Sequence, residues 1–289
     1  MTGWRPWPAR IVLARTTTWA SIAGNRICGA LSTIAALISA VSIISGWPAI
    51  AADIPLSERK SGYQFLARET RAMQDDDTAN PGMLWVLDGE ALWNRKVGEA
   101  NKSCADCHND ASTSMKGVAA RYPAFNEAAN RPIDLEQRIN ICRTDQQNAT
   151  PLLFESNEML ALAGFVGRQS RGMPIAVSDD ERTKPFIQAG RAMFERRQGQ
   201  LNLSCAQCHD DNWGAKLAGV SVPQGHPTGY PLYRLEWQAM GSLQRRLRNC
   251  LIGMRAQAYT FGAPEYVNLE LFLMWRARGM AIETPAVRP

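Results

Sequence analysis

The sequence contains one five-residue motif twice, and this duplication limits the fold more than any other feature. CADCH at residues 104–108 returns as CAQCH at residues 205–209, 101 residues further along. In C-x-x-C-H the two thiols stand close enough to bond to the two vinyl groups of one haem, and the adjacent His becomes an axial ligand of the iron. We therefore predict two covalently bound haem c groups. They would be attached through Cys104, Cys107, Cys205 and Cys208, with His108 and His209 as axial ligands.

The similarity between the two copies extends well beyond the motifs. Gly89 and Gly190 each stand 15 residues before the first motif cysteine, and each is followed four residues later by an aromatic residue. Because residues four apart share a helix face, each motif is predicted to follow an amphipathic helix with that aromatic facing inward. Downstream, residues 135–142 match residues 243–250 at a larger offset of 108. The second copy therefore holds seven extra residues, predicted to lie in the loop around residues 223–227.

The repeated order of segments predicts the fold class. Each copy runs through a helix, the haem-type motif, a loop, a helix bearing a cysteine and an apolar closing helix, without a convincing series of alternating strands. We predict a mainly α fold with two tandem cytochrome c-like domains related by internal duplication. The apolar pattern stops between Pro174 and Thr183, where charged residues and proline take over. The two domains are therefore predicted to occupy residues 52–177 and 178–289.

The first 51 residues have the pattern of a secretory signal peptide. They hold four arginines and no acidic residue, then an apolar stretch from about residue 29 to residue 44, and then the small-residue pattern Ala49-Ile50-Ala51. A single membrane anchor is the alternative, since the apolar stretch is nearly long enough to span a bilayer. We predict that the segment is cleaved and that the mature chain has no membrane attachment.

The charge of the remaining chain excludes one class of partner. The whole sequence carries a net charge of +5, with 32 basic and 27 acidic residues. Four of the basic residues belong to the predicted signal, so residues 52–289 hold 28 basic and 27 acidic residues. A nearly neutral mature chain gives no electrostatic basis for nucleic-acid binding.

The residues alone do not identify the second axial ligand of each iron. His226 is the only His outside the motifs and is expected to be an ordinary loop residue. Met173 and Met280 occupy equivalent positions in the two copies, and so do Cys142 and Cys250. Each of these cysteines lies on the apolar face of its helix and is predicted to point inward. A thiolate ligand, a methionine ligand, a core thiol and a mutual disulfide are all compatible with this pattern.

Arginines accompany both helical cysteines. Arg138 precedes Cys142 by four residues, and Arg246 precedes Cys250 by four residues. A guanidinium one helical turn away favours the thiolate. The second copy adds three further arginines, Arg245, Arg248 and Arg255. We predict a pocket for a small oxyanion at the second cysteine, with a solvated basic helix face as the alternative.

Taken together, these residues resemble the SoxA family. The resemblance rests on two C-x-x-C-H motifs, each followed about 40 residues later by a helical cysteine, and covers essentially the whole chain after the signal. SoxA proteins are dihaem subunits of SoxAX cytochromes, the L-cysteine S-thiosulfotransferases of bacterial thiosulfate oxidation. The resemblance implies His108 and Cys142 as axial ligands of the first haem, and His209 and Cys250 as those of the second. It further implies that Cys250 is catalytic and can carry a persulfide sulfur, and that Arg246 contacts the substrate.

The same resemblance implies a reaction, partners and a location. A periplasmic complex with a small monohaem cytochrome, SoxX, would join thiosulfate oxidatively to a cysteine thiol of the carrier SoxYZ. The electrons would leave through the haems to an electron-accepting cytochrome c. Two alternatives remain: a dihaem thiosulfate dehydrogenase that forms tetrathionate, and a plain dihaem electron carrier with Met173 and Met280 as iron ligands. The paired, repeat-equivalent cysteines favour the SoxA interpretation.

Overall fold

Helices form most of the secondary structure in this computed structural model, which describes residues 53–289. The predicted signal peptide lies outside the described residues. The α-helices are α1 (Arg68–Asp75), α2 (Gly82–Asn94), α3 (Ala105–His108), α4 (Ala111–Ser114), α5 (Leu135–Gln147), α6 (Asn157–Arg168), α7 (Lys184–Glu195), α8 (Cys205–His209), α9 (Leu243–Gly253) and α10 (Pro264–Arg276). Within residues 53–289, none of the helices is long and apolar enough to cross a membrane. The predicted mainly α fold of two cytochrome c-like repeats is confirmed.

The strands are short, with two or three residues each. They are β1 (Ala124–Asn126), β2 (Arg131–Ile133), β3 (Lys216–Leu217), β4 (Val220–Ser221), β5 (Leu232–Arg234), β6 (Ala239–Gly241) and β7 (Val287–Arg288). β1 pairs with β2 and β3 with β4, both antiparallel, while β5 lies between antiparallel β6 and parallel β7. Segments this short cannot show the alternation that identifies a strand in a sequence, and none of them was predicted.

In each half, the helix before the motif crosses the closing helix in direct backbone contact. α2 packs on α6, and α7 packs on α10. A Cβ placed on Gly89 would lie 2.2 Å from the carbonyl oxygen of Ala161, and one on Gly190 would lie 2.0 Å from that of Asn268. Both distances are far below van der Waals contact, so only glycine permits either crossing.

The aromatic residue one turn after each glycine faces the core, as predicted. Trp93 is 5% exposed and Phe194 is 1% exposed. The Trp93 ring centroid lies 5.7 Å from that of His108, and the Phe194 centroid lies 6.4 Å from that of His209. Each helix crossing therefore places an aromatic side chain behind the motif histidine.

Equivalent segments of the two halves pair with each other. The Gly172 N–H donates to the Ile282 carbonyl at 2.8 Å, and the Gly279 N–H donates to the Ile175 carbonyl at 2.9 Å. Both glycines have a positive φ, 81° and 83°, a conformation that favours glycine. The two halves belong to one compact unit. The domain boundary between residues 177 and 178 stays a prediction.

The extra residues of the second half lie between its motif and β5. The interval from His209 to Tyr230 is seven residues longer than that from His108 to Tyr122. It contains the hairpin of β3 and β4, whereas the first half has the short helix α4 after its motif. The hairpin ends just before residues 223–227, the loop in which the insertion was predicted.

Candidate haem sites

A cavity of about 570 Å³ lies between the first motif and α5. Cys104, Cys107 and His108 line it from the motif, and Arg138 and Cys142 line it from α5. Its volume falls within the range of about 300–1,000 Å³ that is usual for cofactor pockets. Two thiols, an imidazole and an opposed sulfur around one cavity fit a covalently attached haem with two axial ligands. The structure thus brings together every residue predicted for the first site.

Local sequence fixes the position of Cys142. Asp134 caps the start of α5, where its carboxylate accepts the Gln137 N–H at 2.7 Å and the Gln137 side chain accepts the Asp134 N–H at 3.1 Å. This reciprocal capping box satisfies two of the donors left open at a helix start. The helix ends at Gln147, and the next residue, Asn148, caps it in a left-handed conformation. Cys142 therefore lies about two turns into a helix that is fixed at both ends.

Burial dominates the acid–base behaviour of Cys142. It raises the pKa of the Cys142 thiol, and the Arg138 guanidinium opposes that rise. Bonding to iron would favour the thiolate, because a coordinating thiol loses its proton. Cys142 and Cys250 are both free in the structure, which contradicts the alternative of a mutual disulfide.

The second motif faces α9 in the same way. Burial and, to a smaller extent, the charge of the nearby Cys250 raise the pKa of Cys205 to about 12. The ring of His209 is oriented by its Nδ1, which lies 2.6 Å from the Pro223 carbonyl oxygen. Burial also lowers the pKa of His209, which keeps the imidazole neutral and able to bind a metal. The structure therefore brings the predicted second-site residues together as well.

The arginines of α9 face different surroundings. The charge of Arg246 acts on His209, so this guanidinium points to the second site. Arg248 lies on the opposite side of the helix, where its Nη1 donates to the Tyr259 carbonyl at 2.7 Å. The Arg245 Nη1 lies 3.7 Å from a carboxylate oxygen of Glu155. The predicted arginine cluster around Cys250 therefore keeps Arg246 but not Arg245 or Arg248.

Two residues that the sequence analysis did not single out join the second site. Arg234 on β5 is 8% exposed, and its Nε has no hydrogen-bond partner among residues 53–289. Burial lowers the pKa of Arg234, and the charge of Arg246 lowers it further. Burial raises the pKa of Tyr230, and both guanidiniums oppose that rise. One feature of the sequence could have indicated Arg234. The aligned residue of the first half is the neutral Asn126, so only the second half has a charge at this position.

Met173 and Met280 lie in the segments that pair the two halves. The Met173 carbonyl accepts the Ile282 N–H, and the Met280 carbonyl accepts the Ile175 N–H, both at 2.9 Å. The described residues that line the first cavity include Met115 but not Met173. At the first site the geometry therefore favours Cys142 over Met173 as the second axial ligand.

His226 is not the ordinary loop residue that the sequence suggested. It is 7% exposed, and its Nδ1 lies 2.9 Å from the Lys60 carbonyl oxygen. Burial lowers its pKa to about 4. The segment around residue 60 covers it, a long-range contact that a spacing argument could not detect.

The protein-family model of the SoxA/TsdA cytochrome c domain matches residues 88–175 and 189–282, once in each half. The chain belongs to this family. A SoxA/TsdA cytochrome c domain carries covalently attached haem c, which agrees with the cavity and thiols of the first site. The two matches also agree with the internal duplication.

Named relatives in the SoxA/TsdA family cover most of the chain. The L-cysteine S-thiosulfotransferase subunit SoxA of Pseudaminobacter salicylatoxidans is 40% identical over 81% of this chain and 82% of its own length. The SoxA subunit of Rhodovulum sulfidophilum is 33% identical over 95% of this chain and 99% of its own. The crystal structure of SoxXA from P. pantotrophus superposes with a TM-score of 0.77 at 32% identity, covering 80% of this chain and 87% of that one.

Proposed function

We propose that the chain is the SoxA subunit of an L-cysteine S-thiosulfotransferase, which joins thiosulfate to a cysteine thiol of a SoxYZ-like carrier. The observation that carries this proposal is the second site. Cys250 lies beside the motif thiols, with Arg246 one helical turn before it. The relative with 40% identity has the same named activity, which supports the assignment.

The proposal includes two covalently bound haem c groups. The first would be attached through Cys104 and Cys107 and the second through Cys205 and Cys208. The axial ligands would be His108 and Cys142 at the first iron, and His209 and Cys250 at the second. When bound, each haem supplies a centre that accepts electrons one at a time. The opposed cysteine in each half and the matching cavity at the first site support this arrangement.

The residues around Cys250 suit a small dianion such as thiosulfate. Arg246 and the buried Arg234 supply two guanidiniums, which stay charged at any working pH and pair with oxyanions through several N–H donors. Arg234 Nη2 donates to Glu236 at 2.9 Å, while its Nε has no hydrogen-bond partner within residues 53–289 and remains as a donor. With the sulfonate oxygens held by these groups, the terminal sulfur of thiosulfate would face Cys250.

The overall reaction removes two electrons and one proton. It is R–SH + S₂O₃²⁻ → R–S–S–SO₃⁻ + H⁺ + 2e⁻, where R–SH is the carrier thiol. One S–S bond forms between the carrier sulfur and the terminal sulfur of thiosulfate, and the S–H bond breaks. The arginines neutralise the negative charge of thiosulfate while the second thiol approaches, which lowers the electrostatic barrier to bringing the two sulfurs together.

The partners and location follow the same assignment. We propose a SoxX-like monohaem cytochrome as the partner subunit, because the matching crystal structure is a SoxXA complex. We also propose an electron-accepting cytochrome c, cleavage of residues 1–51 and a periplasmic location, which the signal pattern supports. The mature chain would divide into residues 52–177 and 178–289.

Thiosulfate-dependent reduction of cytochrome c by the purified complex, with the carrier protein present, tests the proposal. We expect Cys250→Ala to abolish it and Cys142→Ala, the matched substitution in the other half, to retain it. If Cys250→Ala kept the activity and Cys142→Ala lost it, the reaction would belong to the first site, and the assignment to the second half would be wrong. Equal activity without the carrier, with tetrathionate as product, would instead identify a thiosulfate dehydrogenase.

A further inference from the structure

A buried ion pair distinguishes the second half from the first. Arg276, the last residue of α10, is 3% exposed, and its Nη2 donates to a carboxylate oxygen of Asp210, whose side chain is 6% exposed. The repeat aligns these residues with Gln169 and Asn109, which are neutral. A buried charge pair costs desolvation energy that a neutral pair avoids, so its presence in one half alone needs a local reason.

The Arg276 guanidinium joins both ends of the loop behind His209. Asp210 directly follows His209, at the start of the loop. At the other end, Arg276 Nη2 lies 3.4 Å from the Gln224 carbonyl oxygen, next to the Pro223 carbonyl that orients the His209 ring. Arg276 therefore contacts the residues on either side of the hydrogen bond that fixes this imidazole.

The same guanidinium lies behind the aromatic ring that backs His209. Its central carbon is 5.2 Å from the centroid of the Phe194 ring, which in turn packs on the His209 ring at 6.4 Å. Arg276 thus places a positive charge near the imidazole that would bind the second iron.

We propose that Arg276 is a positioning residue for the second haem, which fixes the loop behind His209 and raises the reduction potential of that haem. This inference rests on the proposed second haem. A thiolate ligand such as Cys250 would stabilise the oxidised iron, and the buried cation behind His209 would disfavour the extra positive charge of that state. Asp210 acts in the opposite direction while it holds Arg276 in place. The first half, with Gln169 and Asn109, lacks this adjustment.

The two single substitutions that copy the first half separate a charge effect from a loss of structure. Both are tested by redox titration of the purified complex. We expect Arg276→Gln to lower the potential of the second haem, changing its oxidised-to-reduced ratio at fixed potential about 10-fold, or about 59 mV for one electron. Asp210→Asn should shift it in the opposite direction. If Arg276 and Asp210 had only a structural role, both substitutions would shift the potential of the second haem in the same direction.

Control variants show which haem each potential belongs to and whether a substitution causes misfolding. The second haem is the one whose spectrum changes in Cys250→Ala, and the potential of the first should stay constant throughout. Arg276→Lys keeps the charge and should retain part of the wild-type potential. Arg168→Gln removes a surface arginine of α6 that pairs with Asp77 at 2.8 Å, and should change neither potential.

Several outcomes would overturn the inference. Shifts of equal sign in Arg276→Gln and Asp210→Asn would show that loosening of the loop, and not charge, sets the potential. Two haems by mass with unmoved potentials would reject this inference while leaving the proposed function intact. A wild-type protein without haem at Cys205 and Cys208 would reject both.

Discussion

Arg246 and Arg248 lie two residues apart on α9 but have different roles in the structure. Arg246 is one turn from Cys250 on the same helix face, and its charge acts on His209, Tyr230 and Arg234. Arg248 faces the other way and donates to a backbone carbonyl. The two residues form a matched pair for testing substrate binding, since they share a helix and differ in direction.

We expect Arg246→Ala to weaken thiosulfate use about 10- to 150-fold, because a charge-assisted hydrogen bond contributes about 1.5–3 kcal/mol. Arg246→Lys should recover part of the loss, since it keeps the charge but not the two-pronged geometry. The measurement is kcat/KM for thiosulfate with the carrier present. Arg248→Ala is the control. A larger loss in Arg248→Ala than in Arg246→Ala would contradict this assignment.

The sequence predicted the residues of the sites better than the surroundings of those residues. Cys142 and Cys250 could be found because the repeat aligns them and helical spacing gives their face. Tyr230 could not, and Arg234 was indicated only by its contrast with Asn126 in the repeat, because both reach the second site through strands of three residues or fewer and a long loop. The cluster predicted from Arg245 and Arg248 was wrong for a related reason. Composition gives the number of charged residues, but only the fold shows in which direction each charged side chain points.

At the scale of helices, the crossings of α2 with α6 and α7 with α10 hold each motif histidine in place. The sequence showed this through Gly89 and Gly190 at equal distances before the motifs, although it could not show which helix each glycine meets. The partner segments lie about 70–80 residues away, at Ala161 and Asn268. The equivalence of the two crossings shows that the duplication preserved backbone contacts as well as motifs.

Substitution of Gly190 by Ala should destabilise the protein by about 3 kcal/mol or more, at or above the upper end of the usual effect of overpacking. The added methyl group would meet the Asn268 carbonyl and the Phe272 Cβ, and neither can move without separating α7 from α10. Gly253→Ala in α9 is the control, because a Cβ there meets nothing within 4 Å. We expect that variant to be unchanged or more stable by about 0.4–1 kcal/mol. Thermal unfolding of the haem-loaded protein measures both. An unchanged midpoint for Gly190→Ala would show that the crossing is looser than described.

At the scale of the whole molecule, buried polar groups join the two halves. A cavity of about 60 Å³ is lined by Asp134 and Glu136 from the first half and by Gln244 and Glu270 from the second. Gln244 donates to the Asp134 carboxylate at 2.7 Å and accepts the Gly262 N–H at 2.7 Å. The starts of the two cysteine-bearing helices are thus connected through one hydrogen-bond network. No repeat or motif indicated it, because the halves contribute different residue types.

The carboxyl groups of this network should make stability depend on pH. Burial, assisted by the charge of Asp134, raises the pKa of Glu270 to about 8. Burial also raises the pKa of Asp134 to about 6. A carboxyl group whose pKa is higher in the folded than in the unfolded chain binds more protons when folded. Its contribution to stability is complete below about pH 4.5, falls as pH rises and is lost near pH 8.

Glu270→Gln should therefore remove part of this pH dependence. The variant and the wild type should unfold at similar temperatures near pH 5. At pH 9 the variant should be more stable by on the order of 2 kcal/mol. One pKa unit corresponds to about 1.4 kcal/mol, and solvent access to the cavity reduces the full effect of the Glu270 shift. Glu265→Gln, an exposed position in the first turn of the same helix, is the control and should keep the wild-type slope. Unfolding midpoints between pH 5 and pH 9 give the result. Parallel curves for Glu270→Gln and the wild type would mean that Glu270 is already ionised in the folded protein at neutral pH.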